Sequence, residues 1–154
     1  TGNLTNNFII NANYTYTDAR VTRDADSTVV GFRNYGVAQH AGNAMLRYRF
    51  LKGKLTGFSA GLGLQLMGNR SAVWAGYTDP RDKDKASPAY ALFDANVGYE
   101  GKHLSVRFNV FNLLNRQFMD SAWWNSAADE NSRGYFTYAP NPPRNARVMV
   151  GYRF

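Results

Sequence analysis

Residues that could support acid-base or metal chemistry are few in this 154-residue chain and stand far apart. The only two histidines are His40 and His103, and there is no cysteine. A catalytic triad or a zinc site needs several such groups within bonding distance of one another. Since no serine, histidine and acid arrangement could meet, we predict no enzyme, no metal site and no resident cofactor.

One acidic run has a spacing that could suggest a calcium loop. The run is Asp79-Pro-Arg-Asp-Lys-Asp84. It lacks the glycine and the terminal glutamate of an EF-hand loop, and Arg81, Lys83 and Lys85 interleave the acids. The pattern therefore favours a solvated surface loop.

Aromatic side chains recur in the long polar segments, which cover residues 18–40, 68–89 and 115–145. Flat, rigid rings on loops bind a bulky ligand at little entropic cost. We therefore predict ligand-binding residues among them, with Trp123 and Trp124 foremost, and the alternatives are loop packing or anchoring at the membrane surface. The predicted set is Trp74, Tyr77, Trp123, Trp124, Tyr135 and Tyr138.

The elements that must position these groups are strands. Six segments alternate apolar and polar residues with the period of two that is typical of a strand between two different environments. No segment has helical apolar spacing over a convincing length, so we predict an all-β chain. The six segments are residues 8–16, 44–50, 58–66, 91–99, 104–110 and 148–154.

Arginine recurs on the polar side of these strands, where a dry sandwich core would not accept it without partners. If lipid covers the apolar side and a lumen the polar side, these arginines line the lumen and attract anionic ligands. The alternative is that they pair with Asp94, Glu100 or carboxylates of another part of the protein. The predicted lumen-facing basic residues are Arg47, Arg49, Arg107 and Arg147.

The connections between strands alternate in length. Leu51 to Lys54 and Glu100 to Lys102 are short turns that contain glycine, whereas the other connections are the three long polar segments. Because every hairpin reverses the chain, all short turns fall at one end of the sheet and all long loops at the other, which also separates His40 from His103. This asymmetry predicts an antiparallel up-and-down transmembrane β-barrel.

The charge and the hydropathy exclude two classes of protein. The formal net charge is +7, but the basic residues are scattered through strands and loops, so we predict no nucleic-acid partner. No run approaches the roughly 18 to 20 consecutive apolar residues of a membrane-spanning helix. Any membrane crossing must therefore be made by strands.

Several stretches resemble successive strands at the end of TonB-dependent ferric-siderophore receptors, in particular the ferrichrome type. The most specific is Asn-Leu-Leu-Asn-Arg-x-Phe at residues 112–118. The ending Arg147-Val-Met-Val-Gly-Tyr-Arg-Phe154 is similar to the terminal strand that marks barrel proteins for outer-membrane assembly, and Val150, Tyr152 and Phe154 would carry that signal. The other stretches are Asn13 to Ala19, Phe50 to Gly68, Tyr90 to Tyr99 and Val106 to Phe118.

The resemblance implies a 22-stranded barrel with an N-terminal plug in the Gram-negative outer membrane, which imports ferric siderophores with energy from TonB. Residues 1–154 would be the C-terminal part of that barrel, without the plug domain. The implied partners are a ferric siderophore, the remainder of the barrel and its plug, TonB through the N-terminal part, outer-membrane lipid and lipopolysaccharide, and the barrel assembly machinery. Iron would be present only as cargo.

Six strands leave two sheet edges whose backbone groups hydrocarbon cannot satisfy. We therefore expect the rest of the barrel on another piece of chain, and a start at Thr1 just before a strand fits a cleaved receptor. One alternative is a complete small barrel that serves as an anchor, adhesin or lipopolysaccharide-binding protein, with Val73 to Tyr77 and Tyr135 to Tyr138 as further strands. Another is a soluble β-sandwich binding module.

Overall fold

The computed structural model describes residues 2–76, 79–127 and 133–154. Almost all regular structure in these residues is β-strand, with three single turns of 3-10 helix at Ser27–Val29, Gly53–Leu55 and Pro80–Asp82. The strands are β1 (Gly2–Asn3), β2 (Phe8–Tyr16), β3 (His40–Arg49), β4 (Phe58–Met67), β5 (Arg70–Ser71), β6 (Ala86–Ser87), β7 (Tyr90–Glu100), β8 (Leu104–Phe111), β9 (Met119–Asn125), β10 (Tyr135–Pro140) and β11 (Asn145–Tyr152).

The main sheet is an antiparallel meander in the order β1-β2-β3-β4-β7-β8-β11. The six long strands of this sheet confirm the six predicted from alternation. In the described residues the sheet does not close, because β1 and β11 each pair on one side only. We refer to this sheet as the wall.

Two further pairs of strands lie outside the wall, β5 with β6 and β9 with β10. The predicted extra strand at Tyr135 to Tyr138 exists, but it pairs with β9 and not with the wall. Val73 to Gly76 form no strand, and Tyr77 lies outside the described residues. The alternative of an eight-stranded barrel, which needed both segments in the wall, is therefore not supported.

One side of the wall is a continuous apolar surface. Register places Tyr48 opposite Ala60, then Val97, Phe108 and Val148 on successive strands. No layer of the described chain covers this row: Val97 is 52% exposed and Val148 60% exposed. A soluble β-sandwich would bury such a surface against a second sheet. The exposure instead fits a face that rests against lipid.

The opposite side of the wall carries the polar members of each strand. Arg47 lies opposite Gly61, which is followed by Asn96, Asn109 and Arg147 across the sheet. A Cβ at Gly61 would stand 2.8 Å from the side-chain amide nitrogen of Asn96, so the glycine leaves room for that amide. The predicted arginines therefore share one face, opposite the apolar one.

The two ends of the wall differ as the loop lengths predicted. Residues 4–7, 50–57 and 101–103 form the connections at one end, and residues 17–39, 68–89 and 112–144 lie at the other. His40 begins β3 at the loop end and His103 lies in a turn at the opposite end, so the predicted separation of the two histidines is confirmed. Among the described residues, no helix is both long and apolar enough to cross a membrane.

The three long loops pack together around a core of their own. Val29, Phe32 and Val73 form a buried cluster, against which Val21, Ala75 and Trp124 pack. Backbone hydrogen bonds join the loops, from Gly36 N to the Ser71 carbonyl at 2.9 Å and from Trp124 N to the Ala72 carbonyl at 2.6 Å. We call this packed unit the loop cap.

Candidate ligand-binding site in the loop cap

The third loop leaves the wall through a turn built from the Asn-Leu-Leu-Asn-Arg motif. Asn112 and Asn115 have φ of 52° and 51°, a left-handed conformation that asparagine tolerates better than most residues. The Asn112 side chain donates to the Arg116 carbonyl at 2.9 Å and accepts from its N–H at 2.8 Å. The backbone N–H of Asn112 donates to Asp94 at 2.9 Å, and that of Arg144 donates to Asn115 at 2.8 Å. The motif thus anchors both ends of the third loop.

Beyond this turn, the β9–β10 hairpin directs its two tryptophans in opposite directions. Trp124 lies opposite Phe136 and Trp123 lies opposite Thr137. Because adjacent residues of a strand point to opposite faces, the two indoles extend from opposite faces of the hairpin. Trp124 packs towards the core of the loop cap, whereas Trp123 is 47% exposed and its Nε1 donates to the Asn125 side chain at 3.0 Å.

The indole of Trp124 is held by contacts from two loops. Its Nε1 donates to Oδ2 of Asp82 at 2.6 Å, and its ring makes an edge contact with Phe136 at a centroid distance of 4.8 Å. The ammonium of Lys85 lies 4.5 Å from the ring centroid, a cation–π distance. Trp124 therefore packs against the core of the loop cap with one part of its ring and remains partly exposed with the rest.

An open cleft of about 760 Å³ lies between these loops. Its size falls in the range of sites for small molecules and cofactors, roughly 300–1,000 Å³. Three of the predicted aromatic residues meet there, from two different loops. The described lining residues are Trp74, Asp79, Trp123, Trp124, Asn125, Ser126 and Ala127.

The remaining predicted aromatic residues lie elsewhere. Tyr135 and Tyr138 are exposed on β10 and are not among the described lining residues of the cleft. Tyr77 lies outside the described residues. Sequence reasoning did not select Asn125, Ser126 or Asp79 for this site, although their positions beside Trp124 and in the acidic run were available signals. Ligand binding by the predicted set stays a prediction.

The carboxylates of Asp79 and Asp82 in the acidic run bind different partners. Asp79 binds the Arg81 guanidinium through both oxygens, with the shortest contact at 2.7 Å. Hydrogen bonds from the Arg81 side chain and then from its backbone N–H lower the pKa of Asp79 to about 2. Asp82 instead accepts hydrogen bonds from the side chains of Trp124 and Ser126. In residues 2–76, 79–127 and 133–154, no group of three or more acidic or histidine side chains is placed to hold a metal ion.

The arginines of the wall make few contacts with protein. The Nη2 of Arg47 donates to Ser59 at 3.1 Å, while its buried Nε has no acceptor among the described residues. Arg147 lies 5.8 Å from the ring centroid of Phe111. Within the described chain the ion pairs are Asp18–Arg20 and Asp79–Arg81, so no carboxylate there pairs with Arg47, Arg49, Arg107 or Arg147.

The terminal strand presents the three residues of the predicted assembly signal at the surface. Val150 and Tyr152 lie on the exposed apolar side of β11, and Phe154 follows it with its ring 5.2 Å from that of Tyr152. The edge of β11 that faces away from β8 is unpaired in the described sheet. Recognition of these three residues by the assembly machinery stays a prediction.

The sequence is similar to that of a family of receptors. The family described as "TonB dependent receptor-like, beta-barrel" matches residues 1–113. The metal-pseudopaline receptor CntO of Pseudomonas aeruginosa is 30% identical over 150 residues, which are 97% of this chain and 19% of that receptor. The chain thus spans about one fifth of the length of this relative.

Solved structures give the same fold. The ferric yersiniabactin uptake receptor FyuA from Yersinia pestis has a TM-score of 0.73 at 14% identity, over 98% of this chain and 22% of that one. P. aeruginosa FpvA, solved with heterologous pyoverdines, has a TM-score of 0.65 at 20% identity, over 98% of this chain and 18% of that one. The predicted resemblance to siderophore receptors is confirmed, while the ferrichrome subtype stays a prediction. The chain belongs to the TonB-dependent receptors, which are outer-membrane transport proteins, and it forms part of their β-barrel.

Proposed function

We propose that this chain supplies part of the barrel wall and the ligand-catching loops of a receptor that imports ferric siderophores. The observation that carries the proposal is the cleft of Trp74, Trp123 and Trp124 at the loop end of a wall of this family. Indole faces offer a rigid apolar surface for a bulky chelate. The similar proteins named above are receptors for metal-pseudopaline, ferric yersiniabactin and pyoverdines, which supports the same class of cargo here.

The arginine face of the wall supports a step that follows capture by the loops, the passage of the chelate into the lumen. Arg47, Arg49, Arg107 and Arg147 share the face opposite the lipid side, and no carboxylate of the described chain neutralises them. A positive lumen raises the local concentration of an anionic chelate and guides it inward from the loops. The iron is cargo in this proposal, with no resident cofactor and no covalent reaction.

The open sheet requires partners to work in a membrane. The unpaired edges of β1 and β11 would each expose backbone groups to hydrocarbon, which costs several kcal/mol per unsatisfied group. We infer that the remainder of the barrel pairs with them, that residues 1–154 are its C-terminal part, and that a plug and the TonB-contacting segment belong to other parts of the receptor. Val150, Tyr152 and Phe154 would engage the assembly machinery, and the apolar face would contact lipid and lipopolysaccharide.

The test uses the complete receptor in a strain that lacks its own siderophore receptors. We expect TonB-dependent uptake of radiolabelled metal from at least one of three complexes, metal-pseudopaline, ferric yersiniabactin or ferric pyoverdine. Trp123→Ala should weaken binding of that complex, whereas Trp123→Phe, which keeps a ring, should weaken it less. Uptake from none of the three complexes, or equal uptake without TonB, contradicts the proposal.

A further inference from the structure

A single carboxylate oxygen joins the two loops that form the aromatic cleft. Oδ2 of Asp82, in the second loop, accepts a hydrogen bond from Nε1 of Trp124 at 2.6 Å and another from Oγ of Ser126 at 2.9 Å. Both donors belong to the third loop and both line the cleft. Ser126 Oγ also accepts the backbone N–H of Asp79 at 3.1 Å, so the contact is reinforced beside the carboxylate.

The backbone around Asp82 is itself held in place. Its N–H donates to the Asp79 carbonyl at 2.8 Å, and its carbonyl accepts the N–H of Lys85 at 2.9 Å. The Ala72 N–H then donates to the Lys85 carbonyl at 3.0 Å, which ties this turn to the core of the loop cap. The turn that carries the Asp82 side chain is therefore held by backbone hydrogen bonds on both sides.

The same turn restrains the Trp124 indole in two directions. Asp82 fixes the edge of the ring through Nε1, and the Lys85 ammonium lies over its face at 4.5 Å. An indole has one hydrogen-bond donor, so removal of the Asp82 acceptor leaves the edge of the ring without its only polar contact. The ring could then turn about its side-chain bonds and change the shape of the cleft.

We propose that Asp82 is a positioning residue that holds Trp124 as a preformed wall of the ligand cleft. Asp82 itself is not among the described lining residues and acts through Trp124 and Ser126. The inference rests on the proposed function of the cleft as a ligand site. It assigns to the acidic run a role in binding that differs from calcium coordination.

The experiment uses the complete receptor in detergent, labelled with 5-fluorotryptophan. The fluorine resonance of Trp124 is identified by its loss in Trp124→Phe. We expect Asp82→Ala to shift and broaden this resonance, and Asp82→Asn to restore it because the amide oxygen still accepts a hydrogen bond. The matched control is Asp84→Ala, since Asp84 is an exposed acid of the same run and should leave the resonance unchanged.

Ligand binding provides the second readout, with metal-pseudopaline, ferric yersiniabactin and ferric pyoverdine as probes. Asp82→Ala should weaken the binding of the transported complex about tenfold, the factor that corresponds to one lost charge-assisted hydrogen bond. Asp82→Asn should weaken it less. In a Trp124→Phe background the Asp82→Ala change should have a smaller effect, because the bond to the indole is already absent and only the bond to Ser126 remains to be lost.

Three outcomes overturn the inference: an unchanged Trp124 resonance in Asp82→Ala, no restoration by Asp82→Asn, or the same loss of affinity with and without the Trp124 indole. If Asp82→Ala yields no folded barrel, Asp82→Asn and Ser126→Ala are compared with the unaltered receptor by the same resonance. If the unaltered receptor binds none of the probes, the proposed function fails, and the resonance still decides whether Asp82 positions Trp124.

Discussion

The wall and the loop cap place their apolar side chains in opposite environments. On the wall, Leu62 and Val148 are 57% and 60% exposed, while in the loop cap Phe32 and Val73 are 2% and 0% exposed. Hydrophobic stabilisation requires that apolar surface leave water. The loop cap achieves this within the chain, whereas the wall depends on lipid. One chain therefore combines a sheet whose apolar face needs lipid with a loop cap that buries its own small apolar core, and the two are joined at the ends of the strands.

The largest expected effect tests whether the loop cap has an independent core. Phe32→Ala should destabilise the cap by about 3–5 kcal/mol, because it removes a buried ring. Hydrogen exchange measured by mass spectrometry should accelerate in residues 17–39 and 68–76 and remain slow in the wall strands. Val30→Ala is the control, since Val30 is exposed. Equal loosening of the wall would show that the two regions are a single cooperative unit.

The second prediction tests the lipid side of the wall. Leu62→Arg, at the middle of β4, should cost about 2–4 kcal/mol in a bilayer. The matched change Gln65→Arg places the same charge on the opposite face of the same strand and should cost much less. Urea unfolding of the complete receptor in liposomes measures both. A larger loss from Gln65→Arg would reverse the assignment of the two faces.

The third prediction concerns the junction between the two regions. Asn112→Ala should destabilise the turn by about 1–3 kcal/mol, since alanine accommodates the left-handed backbone poorly and loses the bonds to Arg116. Asn112→Gly separates these causes, because glycine accepts the conformation and removes only the side-chain bonds. Thermal unfolding of the complete receptor should rank the unaltered protein first, then glycine, then alanine. A glycine variant less stable than the alanine variant would contradict this order.

The smallest expected effect is a pH response confined to the loop cap. The pKa of Asp79 is lowered to about 2, below its ordinary value of about 3.8, because Arg81 binds the carboxylate. The contact with Arg81 that lowers this pKa stabilises the folded cap at a pH above about 4. This stabilisation is lost as the pH falls towards about 2 and the carboxylate is protonated. The protection factors of residues 79–85, which compare the measured exchange rate with the intrinsic rate at each pH, should therefore fall over this range, and Arg81→Gln should reduce the response. An equal fall in the protection factors of the wall strands over the same range would contradict a local effect.

The sequence predicted the wall almost completely, because its pattern is local. Alternation along each segment records which face meets lipid, so all six long strands and both faces followed from residues two apart. The lengths of the connections are also read directly along the chain, and they predicted which end of the wall carries the long loops. The short pair of β9 and β10 was only partly anticipated, since Met119 to Asn125 lack alternation and adjacent tryptophans give no sign of which one turns inward.

The sequence by itself determined the strand class, the membrane-facing surface and the common face of the arginines. Only the tertiary structure decided which loop aromatics meet, that Trp124 is held by a carboxylate 42 positions away, and that the acidic run supports a cleft. The physical reason is the range of the interactions involved. A pleated strand imposes its period on neighbouring residues, whereas the loop cap is assembled by hydrogen bonds and packing between segments that are distant in the chain.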